Sequence, residues 1–113
     1  MSFVSILIRK EVKKKTGFDS LIKAKITCKV KEDKTTLEAS GLKDGKRFGV
    51  KRDLVGDSDG ADLRKLFVVQ AGKIPGEVDL VILDFDYEKN TSEAKAYYTH
   101  KDTGEKLIKH YTI

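Results

Sequence analysis

Few residues of this 113-residue chain belong to types that carry covalent or proton chemistry: two histidines, His100 and His110, and one cysteine, Cys28. The histidines sit in two consecutive strand-like runs joined through Asp102-Thr103-Gly104. With a three-residue loop they share a sheet face, yet four residues of ~3.3 Å rise keep the imidazoles roughly 13 Å apart. A proton relay needs hydrogen-bond reach, so no acid/base pair is expected. Cys28 lies between Ile26 and Val30 on an apolar alternation, while Lys25 and Lys29 point the other way. A nucleophilic thiol needs an exposed, electropositive setting and a base, so Cys28 reads as core. Asp57, Asp59 and Asp62 around Gly60 suggest a calcium loop, but Val68 stands where the closing glutamate belongs. Aspartate and glycine are also ordinary turn residues. Asp84 and Asp86 project from one strand face and are expected to pair with lysines such as Lys95 across the ladder. No enzyme activity, metal or cofactor is expected. Asn90-Thr91-Ser92 is a glycosylation sequon, which matters only in an exported chain.

The extended feature is charge. Residues 1–52 hold 15 Lys and Arg against 6 Asp and Glu, while residues 53–113 hold 8 against 12, within a chain of net charge +5 and pI near 9.2. Lys10, Lys13 and Lys14, with Lys25 and Lys29, form a candidate surface for phosphate or another anion. Single-strand or sequence readout adds stacking aromatics, and here Tyr97, Tyr98 and Tyr111 lie in the acidic half.

These residues must be positioned by a β-rich body. Val78 to Tyr87 is the longest apolar run, bracketed by Ile74-Pro75-Gly76 and Lys89-Asn90-Thr91. Val81, Leu83, Phe85 and Tyr87 share one face and Val78, Leu80 and Ile82 the other, which predicts a central strand covered on both sides. Lys23 to Lys31 alternates, with Ala24, Ile26, Cys28 and Val30 inward and lysines outward. A shorter strand returns over Thr35–Ser40, carrying Leu37 and Ala39 inward. Asp44-Gly45 marks a hairpin into a third strand over Arg47–Lys51. Glu93–His100 and Glu105–Ile113 complete an antiparallel meander, with Ala94, Ala96 and Tyr98 facing Ile108. Residues 61–71 fit either helical spacing or, through Leu66-Phe67-Val68-Val69, a strand.

Ser2 to Lys15 predicts an amphipathic helix, with Phe3, Val4, Leu7, Ile8 and Val12 on one side and lysines opposite. Residues 1–113 thus read as one domain, a helix over 1–16 followed by a β-rich body over 23–113. The preferred architecture is mainly β: a seven-stranded antiparallel β-sandwich of fibronectin-III or immunoglobulin type with an N-terminal helix. An α+β domain with a second helix at 61–71 is the alternative. Phe3 to Ile8 is too short and lacks the basic flank of a signal peptide, and nothing approaches the ~18 apolar residues of a membrane span. The lone cysteine excludes an internal disulfide, which favours a reducing compartment; the expected setting is cytoplasmic or non-classically secreted.

Several pieces in chain order resemble the fungal immunomodulatory proteins. They are Val12-Lys13-Lys14 with Phe18-Asp19, the I-T-C-K-V-K-E-D-K stretch at 26–34, Ser40-Gly41, Gly49-Val50-Lys51, Ser58-Asp59-Gly60 and the strand closing on Asp84. The resemblance covers about residues 1–86. It implies an N-terminal helix before a fibronectin-III-type sandwich, and pairing of two copies through Phe3, Val4, Leu7 and Ile8. The family's Trp-containing loop has no counterpart here, so sugar binding is not implied. The functional expectation is a non-catalytic protein-interaction module, a homodimer and an immunomodulatory or lectin-like effector; the alternative is a small basic accessory protein for nucleic acid.

Overall fold

The computed structural model describes residues 3–32, 34–55 and 74–111, with side chains at 6, 8–32, 34–53 and 74–110. The chain is mainly β. Helix α1 (Phe3–Thr16) precedes strands β1 (Ser20–Lys29), β2 (Lys34–Lys43), β3 (Lys46–Val55), β4 (Gly76–Asp86), β5 (Thr91–His100) and β6 (Lys106–Tyr111). All six strands form one antiparallel sheet in the order β3-β2-β1-β4-β5-β6. The expected strand and helix at 61–71 both lie outside the described residues.

Alternation explains most of this. Ala24, Ile26 and Cys28 of β1 face Ala39, Leu37 and Thr35 of β2 on one side and Phe85, Leu83 and Val81 of β4 on the other. Ala94 and Ala96 extend the same layer into β5. Helix α1 lies on this face, where Ile8 and Val12 join the core with Phe18 and Leu21. The helix ends at Gly17, whose φ of 71° suits a left-handed stop and whose N–H donates to Lys13 O at 2.9 Å. Gly41 matters differently: a Cβ there would meet Ser20 O at 2.5 Å and the Phe18 ring at 2.6 Å, so its absence lets Phe18 press onto the sheet. Asp44 and Gly45 both have positive φ, 53° and 76°, as a tight two-residue hairpin requires.

Four expectations change. Among the described residues there is one sheet and a helix over one face, not two stacked sheets. The open face of β1 carries Lys23, Lys25 and Lys29, and burying that ladder under a second sheet would strip charged groups of water at several kcal/mol each. On its Val81-Leu83-Phe85 side the central strand β4 is buried in the core cluster that also holds Ile8 and Val12 of α1, while Leu80 and Ile82 are half-buried on the other. A bulge between Val78 and Leu80 turns Val78 back toward the core. Val30, expected inward, lies past the end of β1 and is 40% exposed.

The β5–β6 turn also differs. His100 N donates to Glu105 O and Gly104 N to His100 O, which makes a four-residue connection, and Thr99 pairs with Lys106. One extra loop residue reverses which side of β6 shares the core face of the sheet. Leu107, not Ile108, shares the face of Ala94, Ala96 and Tyr98.

Candidate binding surface

The same one-residue difference separates the histidines. His110 pairs with Lys95 on the open face, its Nδ1 3.7 Å from Glu93 Oε1. His100 lies on the helix side, its Nδ1 accepting from Asp102 N at 3.1 Å within the turn. The two are on opposite sides of the sheet and do not form a pair. Cys28 is 1% exposed, and Thr35 Oγ1 donates to its sulfur at 3.6 Å. The aspartates around Gly60 lie outside the described residues.

What the fold does bring together is the open face. Across one row stand Gly49, Ser40, Lys23, Asp86 and Thr91; across the next stand Lys51, Glu38, Lys25, Asp84 and Glu93. Gly49 and Ser40 in the first row and the bulge in β1 between Leu21 and Lys23 border an open trough of about 1100 Å³ above both. Its charges alternate. Lys51 Nζ is 3.9 Å from Glu38 Oε1, Lys25 stands beside Asp84, and Lys95 Nζ is 3.6 Å from Glu93 Oε1. Lys95 thus meets Glu93 rather than the expected Asp84 or Asp86. Asp86 instead accepts from Glu88 N at 3.2 Å and Lys89 N at 3.1 Å, closing the turn into β5.

Beside the trough runs an apolar strip. Leu80 pairs with Tyr97 and Tyr97 with Ile108, with Ile82 one step along β4. Ile108 is 49% exposed. Antiparallel sheets commonly leave one face wet, and that face is normally polar; here Leu80, Ile82 and Tyr97 are half-buried and Ile108 carries the apolar row out to solvent.

At the far end of β4 a polar cluster holds the bulge. Lys31 Nζ lies 2.9 Å from Asp79 Oδ1, and Thr99 Oγ1 donates to Asp79 Oδ2 at 2.8 Å. The hydrogen bond from Lys31, then that from Thr99, holds the Asp79 carboxyl below its ordinary range. Reciprocally, the hydrogen bond to Asp79 raises the Lys31 ammonium, helped by the charges of Asp79 and Glu77. On the helix face Tyr87 stacks on Phe85 at 5.7 Å, with the Arg9 guanidinium 5.2 Å from its ring. Burial pushes the Tyr87 hydroxyl up to about 12, against the opposing charge of Arg9.

The residues singled out for self-association and anion contact are dispersed. Ile8 and Val12 are buried in the chain's own core, so that part of the stripe docks within the chain. The side chains of Phe3, Val4 and Leu7 lie outside the described ones. Lys10, Lys13 and Lys14 are exposed on the helix, whereas Lys25 and Lys29 are exposed on the opposite side of the sheet. They do not make one continuous patch. The trough, the apolar strip and the Lys31–Asp79–Thr99 cluster escaped sequence reading because each depends on register. Asp79, a charge set inside the apolar run between Val78 and Leu80, was the visible signal of a bulge. Comparison with known proteins adds no relative: no family model, no curated protein and no solved structure matches the chain.

Proposed function

We propose that this chain is a non-catalytic protein-interaction module whose working surface is the open face of the sheet. The carrying observation is the apolar strip of Leu80, Ile82, Tyr97 and Ile108 beside a trough of alternating charge. A polypeptide segment offers both signs and apolar groups. A nucleic-acid strand offers one sign, and would meet Asp84, Asp86 and Glu93 at the trough floor.

The test is retention of proteins from an extract of the native source by the immobilised chain, with and without nuclease. Wild type should retain the same protein under both conditions, and Ile108→Asp should release it. Retention that vanishes with nuclease, or no retention at all, would overturn the reading. Self-association is part of the same proposal but falls to exposed apolar groups such as Ile6, 43% exposed on α1, since Ile8 is enclosed. An immunomodulatory or lectin-like role rests on the resemblance of residues 1–86 alone.

A second reading, a nucleic-acid accessory protein, is favoured by the cations that cluster on the open face of β1–β3: Lys23, Lys25, Lys29, Lys34, Arg47 and Lys51. It predicts affinity for DNA or RNA that falls steeply with salt and is weakened by Lys25→Glu.

A further inference from the structure

Strand β3 is the outermost strand at one end of the sheet among the described residues, and all of its residues from Lys46 to Asp53 are exposed. It is ten residues long, whereas natural edges are usually kept short, bulged or covered. Its pairing with β2 shows which way each side chain faces. Phe48 lies opposite Gly41, Val50 opposite Ala39 and Arg52 opposite Leu37, so these three share the helix face. The Phe18 ring fills the space over Gly41, and Phe48 continues that apolar layer out to the rim. There it stops uncovered: Phe48 is 46% and Val50 37% exposed.

Charge brackets the two apolar groups on both sides. Lys46 and Arg52 flank them on the helix face, while Arg47 and Lys51 lie on the open face. Arg52 is held in place by donating to Lys15 O at 3.0 Å, which brings the basic end of α1 alongside. Lysines on an edge are a known guard against strand-to-strand aggregation. That purpose accounts for the charges but not for a phenylalanine and a valine left bare between them. The opposite rim is also basic, with Lys106, Lys109 and His110 in β6, so pairing of β3 with β3 or β6 of another copy sets like charge against like.

We infer that β3 is an edge for strand addition, and that its occupant is an extended segment of another protein with apolar residues at its centre and carboxylates at both ends. The backbone of β3 supplies ladder hydrogen bonds, Phe48 and Val50 receive the central apolar side chains, and Lys46, Arg47, Lys51 and Arg52 receive the carboxylates. This surface is separate from the trough, and either can fail without the other.

The probe is a synthetic Glu-Glu-Val-Thr-Ile-Glu-Glu peptide with blocked ends, titrated into the ¹⁵N-labelled chain. Saturable shifts should appear at the amides of residues 46–53, with slowed amide exchange there. Affinity should fall at least tenfold for Phe48→Ser, for a peptide with Lys in place of every Glu, and for a peptide with Pro in place of Thr, which cannot donate to a ladder. Phe48 is exposed, so its variant should keep the wild-type spectrum elsewhere and report on binding alone. Absence of saturable shifts at millimolar peptide, equal binding of the lysine peptide, or shifts confined to the trough around Lys25 and Asp84 would each overturn the inference.

Discussion

Leu83 and Ile82 are neighbours in one strand, and the sheet assigns them opposite fates. Leu83 is 1% exposed, set between Ile26 and Ala94 in the core layer. Ile82 is half-buried on the open face between Thr27 and Lys95. Truncating a buried leucine to alanine costs about 2.7–5 kcal/mol, transfer and cavity together. A half-buried isoleucine loses about half of the ~1.5–3 kcal/mol that full burial contributes, and its site leaves no closed cavity. With an unfolding entropy near 2.1 cal/mol/K per residue, a chain of this length loses ~4 °C of melting temperature per kcal/mol. Leu83→Ala should therefore lower Tm by about 11–20 °C and Ile82→Ala by about 3–6 °C, with urea midpoints moving in the same proportion. Thermal and urea unfolding followed by circular dichroism measure both. Equal losses, or a larger loss for Ile82→Ala, would mean that the open face is covered and would refute the one-sided core along with the binding surface placed there.

Glycines give a second contrast: a Cβ at Gly76 would collide with the backbone oxygen of Thr99, whereas at Gly49 the nearest atom, Ala39 O, is 3.9 Å away. Gly76→Ala should cost about 1–3 kcal/mol and Gly49→Ala nearly nothing in urea unfolding. The depressed Asp79 carboxyl contributes stability that is present above its unfolded value, ~3.9, and is lost as pH falls through its lower folded value. Asp79→Asn should thus be less stable than wild type at neutral pH and converge with it in strongly acidic buffer, as read by melts across pH. The raised Lys31 acts at the other limb, its contribution full below ~10.4 and lost as pH rises through its folded value, so Lys31→Met should flatten the alkaline decline. Tyr87, pushed up to about 12, should give a late ionisation step in an ultraviolet titration, and Tyr87→Phe should remove it; a late step that persists in the variant would sink this assignment.

Local pattern made much of this fold legible. The alternation of Ala24, Ile26 and Cys28 against lysines assigned β1 its inner and outer faces, and the same parity held for Leu37 and Ala39 and for Val81, Leu83 and Phe85. Asp44-Gly45 announced its hairpin because left-handed backbone at two adjacent positions suits few residue types. Strand ends were harder: β2 and β3 run longer than Thr35–Ser40 and Arg47–Lys51, since paired backbone carries a strand through residues with no strong preference of their own.

The candidate surfaces were hardly legible, for a different reason. Whether a connection holds three residues or four cannot be read from Asp102-Thr103-Gly104 alone, yet it decides that Ile108 joins Tyr97 on the open face and that the two histidines part company. The trough needs β3, β2, β1, β4 and β5 in one register, and its lining runs from Lys23 to Glu93, 70 positions apart.

Chain chemistry by itself determined that the protein is mainly β, that its N-terminus is helical, that its cation-rich half comes first and which side of β1 is greasy. Those properties follow from periodicity, and periodicity is local. Tertiary pairing decided that the described strands form one sheet, that α1 takes one side of it and encloses Ile8, and that Phe48 and Val50 at a basic rim and Ile108 at the end of an apolar strip are left exposed. Such outcomes depend on which distant backbone groups meet and on what charged side chains lose when water is removed, and neither is a property of any short stretch.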